Sequence, residues 1–251
     1  MFPIQPLKAL VVRVLRRYHR HIVYSPPGAV RGLDLIADLR LLVPADRPVC
    51  FDVGANRGQT IALLREAFAR PRIHAFEPST ATFHALEQRR FGDDVVLHRM
   101  ALGAAPERRT FTTYAASDLS SFLPLDAAPE NRFRDVAAVT SEDVQIDTVD
   151  AVVARLGLPT LDVLKIDTQG FDREVLRGAE ATLRAGRVNV VLIELNFVKM
   201  YQGQAAPPEI LAALMMGGYY LVGLYEIVRE EQTVGWCTAV FQRRTTGQSG
   251  Q

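Results

Sequence analysis

From residue 49 onward, short apolar runs alternate with longer stretches whose apolar positions recur every three or four residues. "VCFDVG" (49–54), "RIHAFEP" (72–78), "DVVLHRMAL" (94–102), "LDVLKID" (161–167) and "VNVVLIELN" (188–196) read as strands. Several are apolar at successive positions rather than alternate ones, the pattern of a strand covered on both faces. Helices are predicted between them over 59–70, 79–90, 172–186 and 207–218. Two more strands, "YYLVGLYE" (219–226) and "WCTAVFQRR" (236–244), are separated only by a short polar turn and read as an antiparallel hairpin. Strand–helix alternation of this kind predicts an α/β, doubly wound, mostly parallel sheet.

One region breaks the rhythm. Residues 104–147 hold two strand-like runs, "RRTFTTY" and "VAAVTSEDVQI", around a loop-like "AASDLSSFLPLDAAPENRF". Long insertions in α/β domains usually form a lid or a substrate wall. The expected organisation is an N-terminal segment over 1–47, a main domain over 48–243 carrying this insertion, and a disordered tail over 244–251.

The 251 residues are 48% hydrophobic and 23% charged, ordinary for a globular enzyme able to bury a core without staples. Cys50 and Cys237 both lie in apolar runs, which predicts buried reduced thiols and a cytoplasmic location, with no metal site. The net charge of +1 hides an asymmetry. Residues 1–33 carry six basic residues and no acid, which leaves 23 basic against 28 acidic residues in the body. A mildly acidic body argues against nucleic acid as a partner. Within the basic segment, Leu7, Leu10, Val11, Val14, Leu15, Tyr18 and Ile22 keep a helical rhythm with arginines opposite. Such a helix either packs on the body, the expectation preferred here, or makes peripheral contact with the inner membrane surface.

Chemistry concentrates at the first turn. Ligands of open α/β sheets bind beyond the carboxyl ends of the strands, and Asp52, Gly54, Asn56 and Gly58 stand there. The spacing is neither G-x-G-x-x-G nor a Walker loop, which lowers the case for a nicotinamide-dependent reductase. An acid before the turn suits a cationic ligand group such as an ammonium. Glu77 ends the second strand, where an acid is placed to accept hydrogen bonds from two ribose hydroxyls. An ammonium near one acid and a ribose on another describe S-adenosyl-L-methionine.

"FDVGANRGQT", "AFEP", "ALG", "DTVD", "LKIDTQGFDREVLRGAE", "VLIELN" and "GYYLVGL" follow one another over about 48–242. In this order they resemble the FkbM family of S-adenosylmethionine-dependent methyltransferases. The family's K-I-D-x-E-G-x-E pattern is altered here, with Gln169 for the usual Glu and Asp172 for the later one. The resemblance implies a class I methyltransferase (Rossmann-like) fold with a seven-stranded sheet. It also implies O-methylation of a hydroxyl on a sugar, glycolipid or secondary metabolite, so a small-molecule or glycolipid partner. In that fold Met100 and Ala101 flank the adenine.

An aliphatic hydroxyl becomes a good nucleophile only as its proton leaves, so a base is needed. In the implied fold Asp52, Lys165, Asp167 and Glu194 converge at one edge. Lys165 and Asp167 are two apart on a strand and share a face. Asp167 is the first choice for the base, Lys165 tunes it, and Glu194 is second. The competing reading is an ion pair that merely braces strand ends. Ser121 from the insertion, with Asn196 and Tyr201 after the fifth strand, are the candidate acceptor-binding residues, while His98 reads as a core histidine. Alternatives to O-methylation are N-methylation of a small molecule, whose usual Asn/Asp-Pro-Pro-aromatic motif is replaced by "DTQG", and a silent S-adenosylmethionine-binding module.

Overall fold

The strands with unbroken apolar runs occupy the middle of the sheet, where both faces are covered. The computed structural model describes residues 29–30 and 32–243, so the basic N-terminal helix and the tail expected from sequence lie outside the described residues. Strands β1 (Val49–Val53), β2 (Arg72–Phe76), β3 (Val95–His98), β7 (Leu161–Ile166), β8 (Val188–Asn196), β9 (Tyr219–Glu230) and β10 (Thr233–Arg243) form one sheet in the order β3-β2-β1-β7-β8-β10-β9. All neighbours run parallel up to β8, and β10 pairs antiparallel with both β8 and β9. The order reverses between β1 and β7, the topological switch point beside which ligands bind in such sheets.

Alternate residues of each strand feed two cores. Phe51, Val53, Leu164, Ile166, Val191 and Ile193 pack on one face with α4 (Val149–Arg155), α5 (Asp172–Arg177) and α7 (Pro207–Met216). Cys50, Ala75, Val163, Val190 and Leu192 pack on the other with α1 (Leu35–Leu42) and α2 (Gln59–Ala67). The two cysteines are free, buried and assigned to opposite cores.

Four local differences from the sequence reading have physical causes. First, residues 34–42, read only as part of the N-terminal segment over 1–47, form a helix: Asp34 caps α1 by accepting from the Ala37 N–H at 3.0 Å, and Leu35, Leu39 and Leu42 enter the second core. Second, 94–102 is not one strand. After β3 the chain bends at Arg99 and Met100, and β4 (Ala101–Leu102) joins a separate three-stranded sheet with β5 (Glu107–Tyr114) and β6 (Ala138–Asp147), in the order β4-β6-β5. Third, the predicted helix 172–186 is two: α6 (Glu180–Arg184) restarts because the Asp150 carboxylate accepts from the N–H groups of Ala181 and Thr182. Fourth, the final hairpin is longer than predicted, because β9 runs on to Glu230 through a bulge.

The insertion builds the small sheet from β5 (Glu107–Tyr114) and β6 (Ala138–Asp147), joined by a loop with a 3-10 turn at Ser117–Leu119. It is fastened in several places. The Glu142 carboxylate accepts from the Thr80 N–H at 2.8 Å at the start of α3 (Thr80–Glu87), an isolated bridge joins Leu125 to Tyr201, and a bridge within the insertion joins Thr112 to Ser121. Among the described residues no helix is long and apolar enough to cross a membrane.

Candidate active site

Beyond β1 the chain must turn at once, because β7 lies alongside. Gly54 sits at φ +85°, and a Cβ there would come within 2.0 Å of the Asp167 carbonyl oxygen. Only a residue without a side chain fits both the backbone angle and the approach. Gly58 then caps α2 at φ +82°. The first N–H groups of α2, at Gln59 and Thr60, have no partner inside the helix and face the sheet edge. A cavity of about 330 Å³ opens here, with Gly54, Asn56, Glu77, Ala101 and Asp167 on its wall.

The carboxylates on the β1–β2 side are buried with little to hold them. Asp52 is fully buried behind the cavity wall, lining neither it nor the space beside it; no donor meets its oxygens with good hydrogen-bond geometry, and the Thr60 side chain is the nearest group that steadies its charge besides Lys165. Burial pushes its pKa up to about 6 against the pull of Lys165, its register partner on β7. Glu77 accepts one backbone N–H on each oxygen, from Ser79 and from Asn56, both at 2.9 Å. Burial raises its pKa to about 7 despite those two bonds. Asn56, held at φ +43°, keeps its Oδ1 buried and unpartnered. Orphaned buried acceptors are rare in folded proteins, and bound water, an ion or a ligand satisfies them. Unused acceptor capacity on Glu77, a carboxylate behind the turn that Lys165 only partly offsets, and the first N–H groups of α2 fit the ribose, ammonium and carboxylate of S-adenosylmethionine.

The β7–β8 side is built in the opposite way. The Lys165 ammonium donates to Asp167 Oδ2 at 3.1 Å, and the Gln169 amide donates to Asp167 Oδ1 at 2.9 Å. The same amide reaches Glu194 at 3.4 Å, and Asn196 donates to Glu194 at 2.9 Å. Tyr201 donates to Gln169 Oε1 at 3.0 Å. Burial lowers the Lys165 pKa, and the facing carboxylates Asp167, Asp52 and Glu194 more than offset it, so the ammonium is retained. Burial, then Asp167 and Asp172, lift Glu194 well above the carboxylate range. Asp167 keeps about a third of its side chain exposed, 32% against 9% for Lys165.

A second cavity of about 270 Å³ adjoins the first, and Gln59, Thr60, Asp167, Glu194 and Trp236 line both. The structure thus brings Asp167, Lys165 and Glu194 together at one edge, with Asp52, Gly54, Asn56 and Glu77 at the neighbouring strand ends. Gly58 stands behind the turn, and its N–H is spent on the Ala55 carbonyl. Ala101 lines the first cavity, whereas Met100 packs against the core. Ser121, Asn196 and Tyr201 line neither large cavity. Ser121 and Tyr201 are wholly enclosed; Ser121 donates to the Gln169 carbonyl at 2.7 Å. These three brace Gln169 and Glu194 from behind. His98 faces His74 at 3.1 Å and stacks on Phe76, away from either cavity. Among the described residues no three His, Cys, Asp or Glu side chains are grouped to hold a metal ion.

Sequence reasoning passed over the part played by Gln169, which bridges both acids from a left-handed backbone at φ +52°. It also missed Trp236, the chain's single tryptophan, and the insertion's Phe111, Phe122 and Phe133, which close over the first cavity. The lone Trp and the cluster of aromatics in an otherwise polar insertion were the available signals.

A profile described as the methyltransferase FkbM domain matches residues 52–221. The chain is 29% identical over 236 residues to the 31-O-demethyl-FK506 methyltransferase FkbM of Streptomyces tacrolimicus, covering 82% of this chain and 84% of that one. It is 25% identical over 169 residues to the hexuronic acid methyltransferase AglP of Haloferax volcanii, covering 66% and 64%. The crystal structure of a methyltransferase FkbM from Methylobacillus flagellatus superposes with a TM-score of 0.54 at 15% identity, over 88% of this chain and 46% of that one.

Proposed function

The chain belongs to the FkbM family of methyltransferases, with S-adenosylmethionine as methyl donor, and on that footing we propose that it O-methylates a hydroxyl of a small-molecule or glycan acceptor with Asp167 as general base. The supporting observation is the position of Asp167. Its carboxylate stands on the wall common to both cavities, partly exposed, with each oxygen already fixed by one donor. The donor, when bound, supplies a methyl group on an electrophilic sulfonium. Everything else falls to the protein. Glu77 holds the donor's ribose from the cavity wall, Asp52 draws its ammonium by charge from behind the turn, and the Gly54 turn lets that end approach the backbone. Lys165 and Gln169 hold the Asp167 carboxylate in one orientation, so that it accepts the acceptor's hydroxyl hydrogen as the oxygen attacks. A positioned base of this kind contributes about 10²–10⁴-fold. Phe111, Phe122 and Phe133 shield the first cavity from water.

The named relatives are a 31-O-demethyl-FK506 methyltransferase and a hexuronic acid methyltransferase, which supports a hydroxylated acceptor and leaves its class to be found. The test is transfer of a carbon-13-labelled methyl from S-adenosylmethionine to a panel of hydroxylated acceptors, with the product read by NMR. An O-methyl ether resonance is expected. An N-methyl signal, or no transfer to any hydroxyl by protein that binds the donor, overturns the reading.

A further inference from the structure

The second cavity is assigned to no ligand by the reading above. Its walls come from two sources. Leu35 and Leu63 of the helices α1 and α2 form an apolar side, with Leu192 beneath. The β9–β10 hairpin and β8 form an acidic side, through Glu226 and Glu194.

Glu226 is there because of a backbone irregularity. Trp236 pairs with Val228 while Thr238 pairs with Tyr225, so Glu226 and Ile227 together oppose Cys237 alone. This bulge puts Glu226 at φ +51°, a left-handed backbone that a residue with a Cβ adopts at a cost. Bulges commonly re-aim a side chain beside an active site. Here the Thr238 hydroxyl donates to the re-aimed carboxylate at 2.8 Å, and Thr238 itself pairs with Glu194 across the ladder. The bulge thus turns an outer-strand acid into the cavity that already holds Glu194 and Asp167.

Trp236 completes the wall. The Arg132 guanidinium, from the insertion, lies 5.3 Å from its ring and is tied to Glu230 at 3.0 Å. That arrangement holds the indole at the junction of the two cavities. Among the described residues the only cation lining the second cavity is Lys165, already bonded to Asp167. The Glu226 and Asp167 carboxylates accept hydrogens and repel anions, the Glu194 carboxyl adds hydrogen-bonding capacity, and the leucines and the indole favour C–H faces. At about 270 Å³ the space is at the small end of ligand sites, roughly 300–1,000 Å³, and suits a single ring.

We propose that this cavity seats the acceptor, and that it selects an uncharged ring with neighbouring hydroxyls, a neutral sugar or cyclic polyol. The ring's apolar face lies against Trp236, and its hydroxyls donate to Glu194 and Glu226. The reacting hydroxyl then points at Asp167. This rests on Asp167 as the centre of methyl transfer and goes further, because it excludes acceptors bearing a carboxylate or phosphate on the ring.

The experiment uses Trp236 emission, a direct report from the cavity wall because no other tryptophan contributes. Full-length protein saturated with S-adenosylhomocysteine is titrated with methyl glycosides of glucose, galactose and mannose, and with the matching glucuronide and galacturonide. At least one neutral glycoside should change the emission saturably, with its uronide counterpart at least about tenfold weaker, the scale of one lost charge-sensitive contact. Glu226→Gln should weaken the neutral glycoside several-fold and narrow its margin over the uronide. Thr238→Val, which frees Glu226, should do the same to a smaller degree. Unchanged melting temperatures would show both variants folded. Uronides binding as well as neutral glycosides, or no glycoside reaching the wild-type protein while S-adenosylhomocysteine binds, overturns the assignment. Failure of the methyltransferase reading would appear separately, as an absence of labelled methyl transfer.

Discussion

Two acidic clusters share one sheet edge and are prepared in contrary ways. On the β1–β2 side, Asp52 has only the nearby Thr60 side chain and the facing Lys165 to steady it, with no hydrogen bond of good geometry, and Glu77 is held by two backbone N–H groups. On the β7–β8 side, Asp167 and Glu194 are roped together by Lys165, Gln169 and Asn196, with Tyr201 fixing Gln169 in turn. The first cluster is left unsatisfied and gains its partners on binding. The second is satisfied in advance and keeps its geometry while a proton moves. Binding energy and preorganisation thus reside at different strand ends, and the two should separate experimentally.

The largest expected effect is on turnover. Asp167→Asn keeps size and one acceptor but takes no proton, so kcat should fall by about 10²–10⁴-fold while affinity for S-adenosylhomocysteine stays near that of the wild type. Stopped assays and calorimetry on the same preparation check both halves. Loss of affinity instead would break the division between the two clusters, and near-normal turnover would move the base to Glu194.

Next comes binding. Glu77→Ala removes two hydrogen bonds to a charged acceptor, each worth about 1.5–3 kcal/mol, so donor affinity should drop at least about tenfold. Calorimetric titration giving an unchanged Kd in folded protein would end the ribose assignment.

A smaller effect is expected from pH. The donor's ammonium and ribose favour the ionised forms of Asp52 and Glu77, whose pKa values burial raises to about 6 and about 7. Protons therefore compete with the donor at low pH. Affinity for S-adenosylhomocysteine should rise as pH climbs through that window and level off above it. A flat profile across it would show that neither acid meets the ligand.

The smallest effect concerns stability without ligand. A carboxyl whose folded pKa exceeds its unfolded value binds more protons folded than unfolded, so its contribution is full below the unfolded value and is lost as pH rises through the folded one. For Glu77 that window runs from 4.5 to about 7. Glu77→Gln escapes this loss, so its melting temperature should gain on the wild type as pH rises across the window. Calorimetric scans at both ends measure the difference, and a constant offset would contradict a raised Glu77 pKa.

Much of the architecture could be read from residue pattern alone. Continuous apolar runs mark strands covered on both faces, and the Gly54–Gly58 spacing marks the turn, because these depend on local sterics and on burial of the runs themselves. The acids Asp52, Glu77, Asp167 and Glu194 were legible as strand-end residues for the same reason: period and position place them. What the sequence could not show was which side chains meet across distant segments. Ser121, Asn196 and Tyr201 look like loop polar residues, yet Ser121 and Tyr201 are enclosed behind Gln169 where the insertion folds back, and Asn196 is buried against Glu194. Gln169 bridges Asp167 and Glu194 only because β7 and β8 lie side by side. Glu226 faces the second cavity only through a ladder slip between β9 and β10. Local propensity determined the elements and the strand-end acids. Register, bulge and insertion packing, all contacts between residues far apart in the chain, decided which of those acids stand unsatisfied and which are held.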